Sequence, residues 1–146
     1  MWFVLAVAGI WVQASHRMGY ERLVTAYLAH AEAVTYDRPD SHFRAYLLLQ
    51  RMIDRRPEKA WPLVLAAVQR TSDPAVLNYV AAGILEDILC VHAQALVDRV
   101  EMLARTDPHF RQALANVWGW SRMPPEVRAR FDRAVGRPAR VDEKKG

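Results

Sequence analysis

Residues 73–120, DPAVLNYVAAGILEDILCVHAQALVDRVEMLARTDPHFRQALANVWGW, decide the fold of this chain. Two Asp-Pro steps, Asp73-Pro74 and Asp107-Pro108, each place a capping carboxylate before a proline. Proline at the first helical position forfeits no needed hydrogen bond, so each step predicts a helix start. Gly83 stands where a C-terminal cap is expected, and the stretch divides into helices over 74–82, 84–92, 93–105 and 108–121. The apolar residues follow helical spacing: Val76, Val80 and Ile84, then Ile88 and Leu89, then Leu96, Val97, Val100 and Leu103, then Phe110, Leu114, Val117 and Trp118. No strand alternation competes. Each stripe is too narrow for a wholly buried helix and too broad for a coiled-coil seam, which predicts an all-α fold of packed layers. Stacked antiparallel helical hairpins, as a HEAT- or TPR-like array, and an irregular helical bundle both satisfy this pattern.

A chain of 146 residues with 52% hydrophobic and 25% charged residues has the composition of one globular domain with its own core. Its lone cysteine, Cys90, excludes an internal disulfide, and no Cys/His spacing suits zinc. With no basic neighbour evident to lower its pKa, Cys90 reads as a small apolar residue rather than a nucleophile. The net charge of +4 is unevenly placed. Residues 1–121 hold twelve Arg or Lys against twelve Asp or Glu, and residues 122–146 hold eight against four. The basic pI therefore describes an end piece, not the helical array.

Outward from the core stretch, residues 1–14 form the apolar run MWFVLAVAGIWVQA, short for a membrane span and lacking the positive start of a signal peptide. An anchor or signal, a buried first helix and a true start at Met18 all remain open for the segment 1–17. A single helical domain is expected over 18–136. Leu23, Val24, Tyr27, Leu28, Ala31 and Val34 mark its first helix, which the turn Asp37-Arg38-Pro39-Asp40 ends. Asp40 or Ser41 is expected to cap a second helix, with Phe43, Tyr46, Leu47, Leu49 or Gln50, and Ile53 inward. Arg44, Arg51 and Arg55 line its outer face. Pro57 opens a third helix that Pro62 is expected to bend. Pro57, Pro74 and Pro108 are 17 and 34 residues apart, the lengths of one helix and of a helical hairpin. Pro125 starts a last helix, with Val127 and Phe131 inward and Gly136 as its stop. Residues 137–146, RPARVDEKKG, lack apolar periodicity and are expected to form a disordered basic tail.

The pattern Gly83-x-Leu85-Glu86-Asp87-x-Leu89, then His92, then Asp107-Pro108-x-Phe110-Arg111-x-x-Leu114 with Val117-Trp118, resembles an uncharacterised bacterial family of small helical domains of unknown function. The resemblance covers roughly residues 20–120. It implies a bacterial origin and an all-helical domain, and it brings no activity, cofactor or catalytic residue.

The chain has no Gly-rich phosphate loop, no Gly-x-Ser-x-Gly elbow and no His-Glu-x-x-His pair, so no catalytic, cofactor-binding or metal site is expected. Glu86, Asp87 and His92 form the one cluster of chemical interest. At the start of a helix at Ile84 the two carboxylates would answer the helix dipole, and His92 would serve a helix end. Trp118 is expected in the core with Leu114, leaving Trp120 partly exposed. The expected function is a cytoplasmic protein-interaction or scaffold module, of which an immunity-type binding protein is one form, with Glu86, Asp87, His92, Trp120, Arg44, Arg51 and Arg55 as its surface. The alternative is a helical nucleic-acid-binding domain that uses Arg44, Arg51, Arg55 and the arginines from Arg122 to Arg140, with weak binding expected.

Overall fold

Both Asp-Pro steps start helices in the structure, a computed structural model that describes the backbone of residues 2–138 and the side chains of residues 17–138. Asp73 accepts from the Ala75 N–H, and Asp107 accepts from the N–H groups of His109 and Phe110. Each carboxylate thus satisfies donors that the first turn leaves free. The elements are α1 (Trp2–Thr35), α2 (Phe43–Arg55), α3 (Pro57–Arg70), α4 (Pro74–Val80), a π-turn (Ala81–Leu85), α5 (Glu86–Thr106), α6 (Pro108–Ala115), a 3₁₀ turn (Trp120–Arg122) and α7 (Pro125–Ala134). The described residues contain no strand, and the helices pack as an irregular bundle.

The core follows the predicted stripes over most of the chain. Val24, Tyr27 and Ala31 of α1, Leu63, Val64, Ala67 and Val68 of α3, and Ile84, Leu85, Ile88, Leu89, Leu96 and Val100 of the long helix are buried. Phe110, Leu114 and Phe131 close the far end. α1 packs on α2, α3 and α4, while α5 packs on α2, α6 and α7. Gly136, at φ +77°, ends α7 as expected, because the left-handed region is open to glycine.

Gly83 is not a stop. It has no left-handed φ and lies inside the π-turn, through which α4 continues into α5 as one helical run from Pro74 to Thr106. A glycine ends a helix only where the chain turns left-handed, and here buried residues on both sides of it keep the helix going. The expected boundary between 84–92 and 93–105 does fall at His92, where non-helical backbone (φ −125°, ψ 19°) kinks the run between two helical segments. The 34-residue interval from Pro74 to Pro108 holds this kinked helical run. By length and composition it could cross a membrane, yet its apolar side is the core of the bundle.

Glu86 and Asp87 are consequently mid-helix, away from the free N–H groups of a helix start, and the dipole role expected of them falls. The face of α2 is also rotated. Ala45, Leu49 and Ile53 form its buried line, while Phe43 and Leu47 are half exposed. The residue before α2 is His42, which provides no side-chain cap; the Asp40 carboxylate instead accepts from the His42 N–H at 2.8 Å. The apolar side chains of residues 1–14 and most of the expected tail, residues 139–146, lie outside the described residues.

A histidine and an arginine complete helix ends that prolines leave open, and a second histidine bonds another helix end. The Ile53 carbonyl would accept from residue 57, but Pro57 has no N–H, and His92 Nε2 fills the place at 2.8 Å. His92 thus serves the end of α2 instead of its own helix. Pro108 likewise leaves the Ala104 carbonyl without its donor, and Arg111 Nη1 supplies one at 3.1 Å. His109 Nε2 meets the Val68 carbonyl at the end of α3 at 2.8 Å.

Candidate functional site

The helical spacing that placed Trp118 beside Leu114 stops short of it. α6 ends at Ala115, where Asn116 leaves helical geometry (φ −92°, ψ 5°), and the chain turns outward. Trp118 is 77% exposed and Trp120 only 2%, the reverse of the expectation. Trp120 packs edge-on against Phe131 at 6.2 Å, with the Arg137 guanidinium 5.9 Å from its ring centre.

The loop that carries Trp118 is pinned by the long helix. Glu86 accepts from the Trp118 backbone N–H at 3.0 Å with one carboxylate oxygen and from Arg122 at 2.6 Å with the other. Cys90 donates to the Gly119 carbonyl at 3.4 Å. Gly119 is required by space: a Cβ there would lie 2.6 Å from Glu86 Oε1, 2.7 Å from Cys90 Sγ and 2.8 Å from Arg122 Nη2. Burial pushes the Cys90 thiol above its ordinary value. Arg122 is the basic neighbour that the sequence did not reveal, and its pull only partly offsets burial and the two nearby carboxylates. A cavity of about 300 Å³ opens beside the exposed indole, between Ala115, Val117, Trp118, Trp120 and Arg137.

Asp87 faces α2 and accepts from the Gln50 amide. Burial raises its carboxyl above the ordinary range; the Gln50 hydrogen bond and Arg122 pull it down, while Glu86 and Asp54 push it further up. Glu86, Asp87 and Trp118 thus share one neighbourhood around Arg122. His92 is committed to the Ile53 carbonyl, and Trp120 belongs to the core. Arg44, Arg51 and Arg55 are exposed along α2, with no ion pair to any described residue.

The sequence reading missed His30. It is 3% exposed; its Nδ1 lies 2.6 Å from Asp40 and its Nε2 2.9 Å from the Tyr79 hydroxyl. The carboxylate can only accept from the ring, so Nδ1 carries a proton, and Nε2 shares a hydrogen bond with the Tyr79 hydroxyl. The rings of Tyr27, Phe43, Tyr46 and Tyr79 surround it at 5.3–6.1 Å. The hydrogen bond from His30 holds the Asp40 carboxyl below its ordinary value, helped by the His42 N–H. An Asp-His-Tyr chain has the order of a general-base relay. Both ring nitrogens are engaged, however, and neither neighbouring cavity, beside Leu28 and Asp73 or beside Ala26 and His42, is lined by His30 or Tyr79. The clue in the sequence was a histidine within the buried stripe of α1, between Tyr27 and Ala31.

Among the described residues no group of three or more His, Cys, Asp or Glu side chains could hold a metal ion. Neither the curated proteins nor the solved structures contain a match to this chain. Residues 35–139 match a Family of unknown function (DUF6869), a span that leaves out nearly all of α1 and, unlike the expected 20–120, takes in α7. The chain belongs to that family.

Proposed function

We propose that the domain is a protein-interaction module whose partner docks on the Trp118 face. One observation carries this reading: a tryptophan 77% exposed to water, on a loop whose backbone is tied to Glu86 and packed without a spare ångström at Gly119. An indole that served only stability would be buried, as Trp120 is. One held outward on a pinned loop offers a large apolar contact at little ordering cost. The adjoining cavity gives a partner's side chain a place to enter, and Arg122 supplies a hydrogen-bonding rim. The setting we assign is the bacterial cytoplasm, and a toxin-neutralising immunity protein would be one form of such a binder. Recognition of this kind needs no catalytic group.

The test is Trp118→Ala. Its side chain is exposed, so stability should change by no more than about 0.5 kcal/mol. A partner captured from the host by the native protein and retained after nuclease treatment should bind the variant at least tenfold more weakly, a loss of about 1.4 kcal/mol or more. Equal binding by both proteins would remove Trp118 from the interface.

A second reading, nucleic-acid binding, is favoured by the exposed line of Arg44, Arg51 and Arg55, which makes no ion pair to a described residue. It is weakened by what happens to the C-terminal arginines. Arg122 is paired with Glu86, Arg130 with Glu101 and Asp98, and Arg137 with the Ala115 carbonyl. Titration of labelled duplex at about 150 mM salt separates the two readings, because contacts made mainly to phosphates fade there.

A further inference from the structure

Where α5 ends and α7 passes beside it, four arginines surround one concavity. Arg105, Arg111, Arg130, Arg133 and Glu101 line a cavity of about 250 Å³. Glu101 sits on its floor and holds two of them in place: Arg130 Nε donates to one oxygen and Arg105 Nη2 to the other, each at 2.6 Å. Arg130 also reaches Asp98 at 2.7 Å, but that carboxylate is 87% exposed and its pull is screened by water. Arg111 spends one N–H on the Ala104 carbonyl that Pro108 left open. Arg133 is exposed and pairs with no described residue.

The helix ends account for part of this. Carbonyls at the end of α5 attract cations, and Arg111 answers one of them. They do not account for four guanidiniums around one cavity. Counting Asp98 together with Glu101, the group retains a net charge of +2, and most of its N–H donors are unused by the protein. Arginine forks match the oxygens of a phosphate group in pairs, and a dianion would balance the remaining charge. The volume lies just below the usual range for small-molecule pockets, about 300–1,000 Å³, which suits one small anionic group and leaves no track for a polymer.

We propose that this cavity is an anion site that takes a single phosphate group, either free phosphate or a small phosphomonoester. It is separate from the Trp118 face and does not depend on it. Arg105 and Arg133 are the discriminating residues, because neither completes a helix end. The experiment titrates the full-length protein with inorganic phosphate, with glycerol phosphate and with succinate, each at the same ionic strength in sodium chloride, and follows the arginine Nε–H signals by NMR. Saturable shifts confined to the cavity are expected with a phosphate-bearing probe, and the Arg105→Gln/Arg133→Gln variant should weaken that binding at least tenfold while keeping its native amide spectrum. Tighter binding of phosphate itself would identify the free ion as ligand, and tighter binding of glycerol phosphate would identify the ester. The site would be overturned by shifts no larger than those in chloride alone, by succinate matching phosphate, or by a folded double variant that binds as the native protein does.

Discussion

Around His30 and around Trp118 a carboxylate fixes the position of a ring, and the two rings end in opposite places. Asp40 holds His30 inside a seam of aromatic side chains between α1, α2 and α4. Glu86 holds the backbone of Trp118 so that its indole stands in water. A buried polar group is costly unless all of its hydrogen bonds are made, so the first arrangement contributes to stability chiefly by being complete. The second leaves a large apolar side chain in water, the exposure on which the proposed docking face rests. The span matched by the family begins at Thr35, after the residues of α1 that supply Tyr27 and His30.

The largest effect that tests this contrast is expected from His30→Ala. It opens a cavity among four rings, leaves the Tyr79 hydroxyl without its ring partner and takes one of two donors from Asp40, so destabilisation of about 2–5 kcal/mol should appear in denaturant unfolding. Acid sensitivity should change with it. The Asp40 carboxyl is depressed in the folded state, so its contribution is present above the ordinary value of 3.8 and is lost as pH falls through the lower, folded value. That acid limb should shrink in His30→Ala. A variant that unfolds like the native protein at every pH would show the seam to be incidental.

A smaller effect is expected from Gly119→Ala, at about 1–3 kcal/mol, the usual cost of forcing atoms into a filled site. All three obstructing atoms are side-chain ends, so the Glu86–Arg122 clasp should move before the backbone does. Amide exchange should then accelerate at Trp118, whose N–H loses its acceptor, with little change in the His30 seam. Unchanged exchange at Trp118 would mean that the loop keeps its place without Glu86.

Local chemistry was legible in the sequence, and long-range pairing was not. Asp73 and Asp107 could be read as caps because carboxylate, proline and first turn are adjacent in the chain. The buried faces of α3 and of each segment of the long helix were readable because the helical period holds within each of them. Trp118 was misplaced because the period was carried past Ala115, where the helix had ended. Gly83 looked like a stop because glycine identity does not reveal φ. His30 meets partners 10 and 49 residues away, and no local pattern announces either. Glu86 and Asp87 were found as a pair, but their roles depend on Arg122, 36 residues beyond Glu86, and on Gln50, 37 residues before Asp87.

Asp87 gives the smallest effect and the sharpest contrast, because its sign is opposite to that of Asp40. Burial raises its carboxyl against the pull of Gln50 and Arg122, so the folded protein binds the proton more tightly than the unfolded chain does. Its ionised form therefore costs stability above the raised folded value, and the cost disappears as pH falls towards the ordinary 3.8. Asp87→Asn keeps the size of the side chain and an oxygen for Gln50 while removing the charge. At neutral pH it should stabilise the protein, by less than about 1 kcal/mol because the group is only half buried and water screens it. The gain should fade on acidification. Asp40→Asn should destabilise at neutral pH, since it removes a carboxylate that His30 and the His42 N–H both favour. Thermal melts of the two variants between neutral and acid pH decide the matter. If Asp87→Asn also destabilises at neutral pH, then Gln50 and Arg122 outweigh the burial of the carboxylate, and Asp87 belongs with Asp40 as a stabilising acceptor.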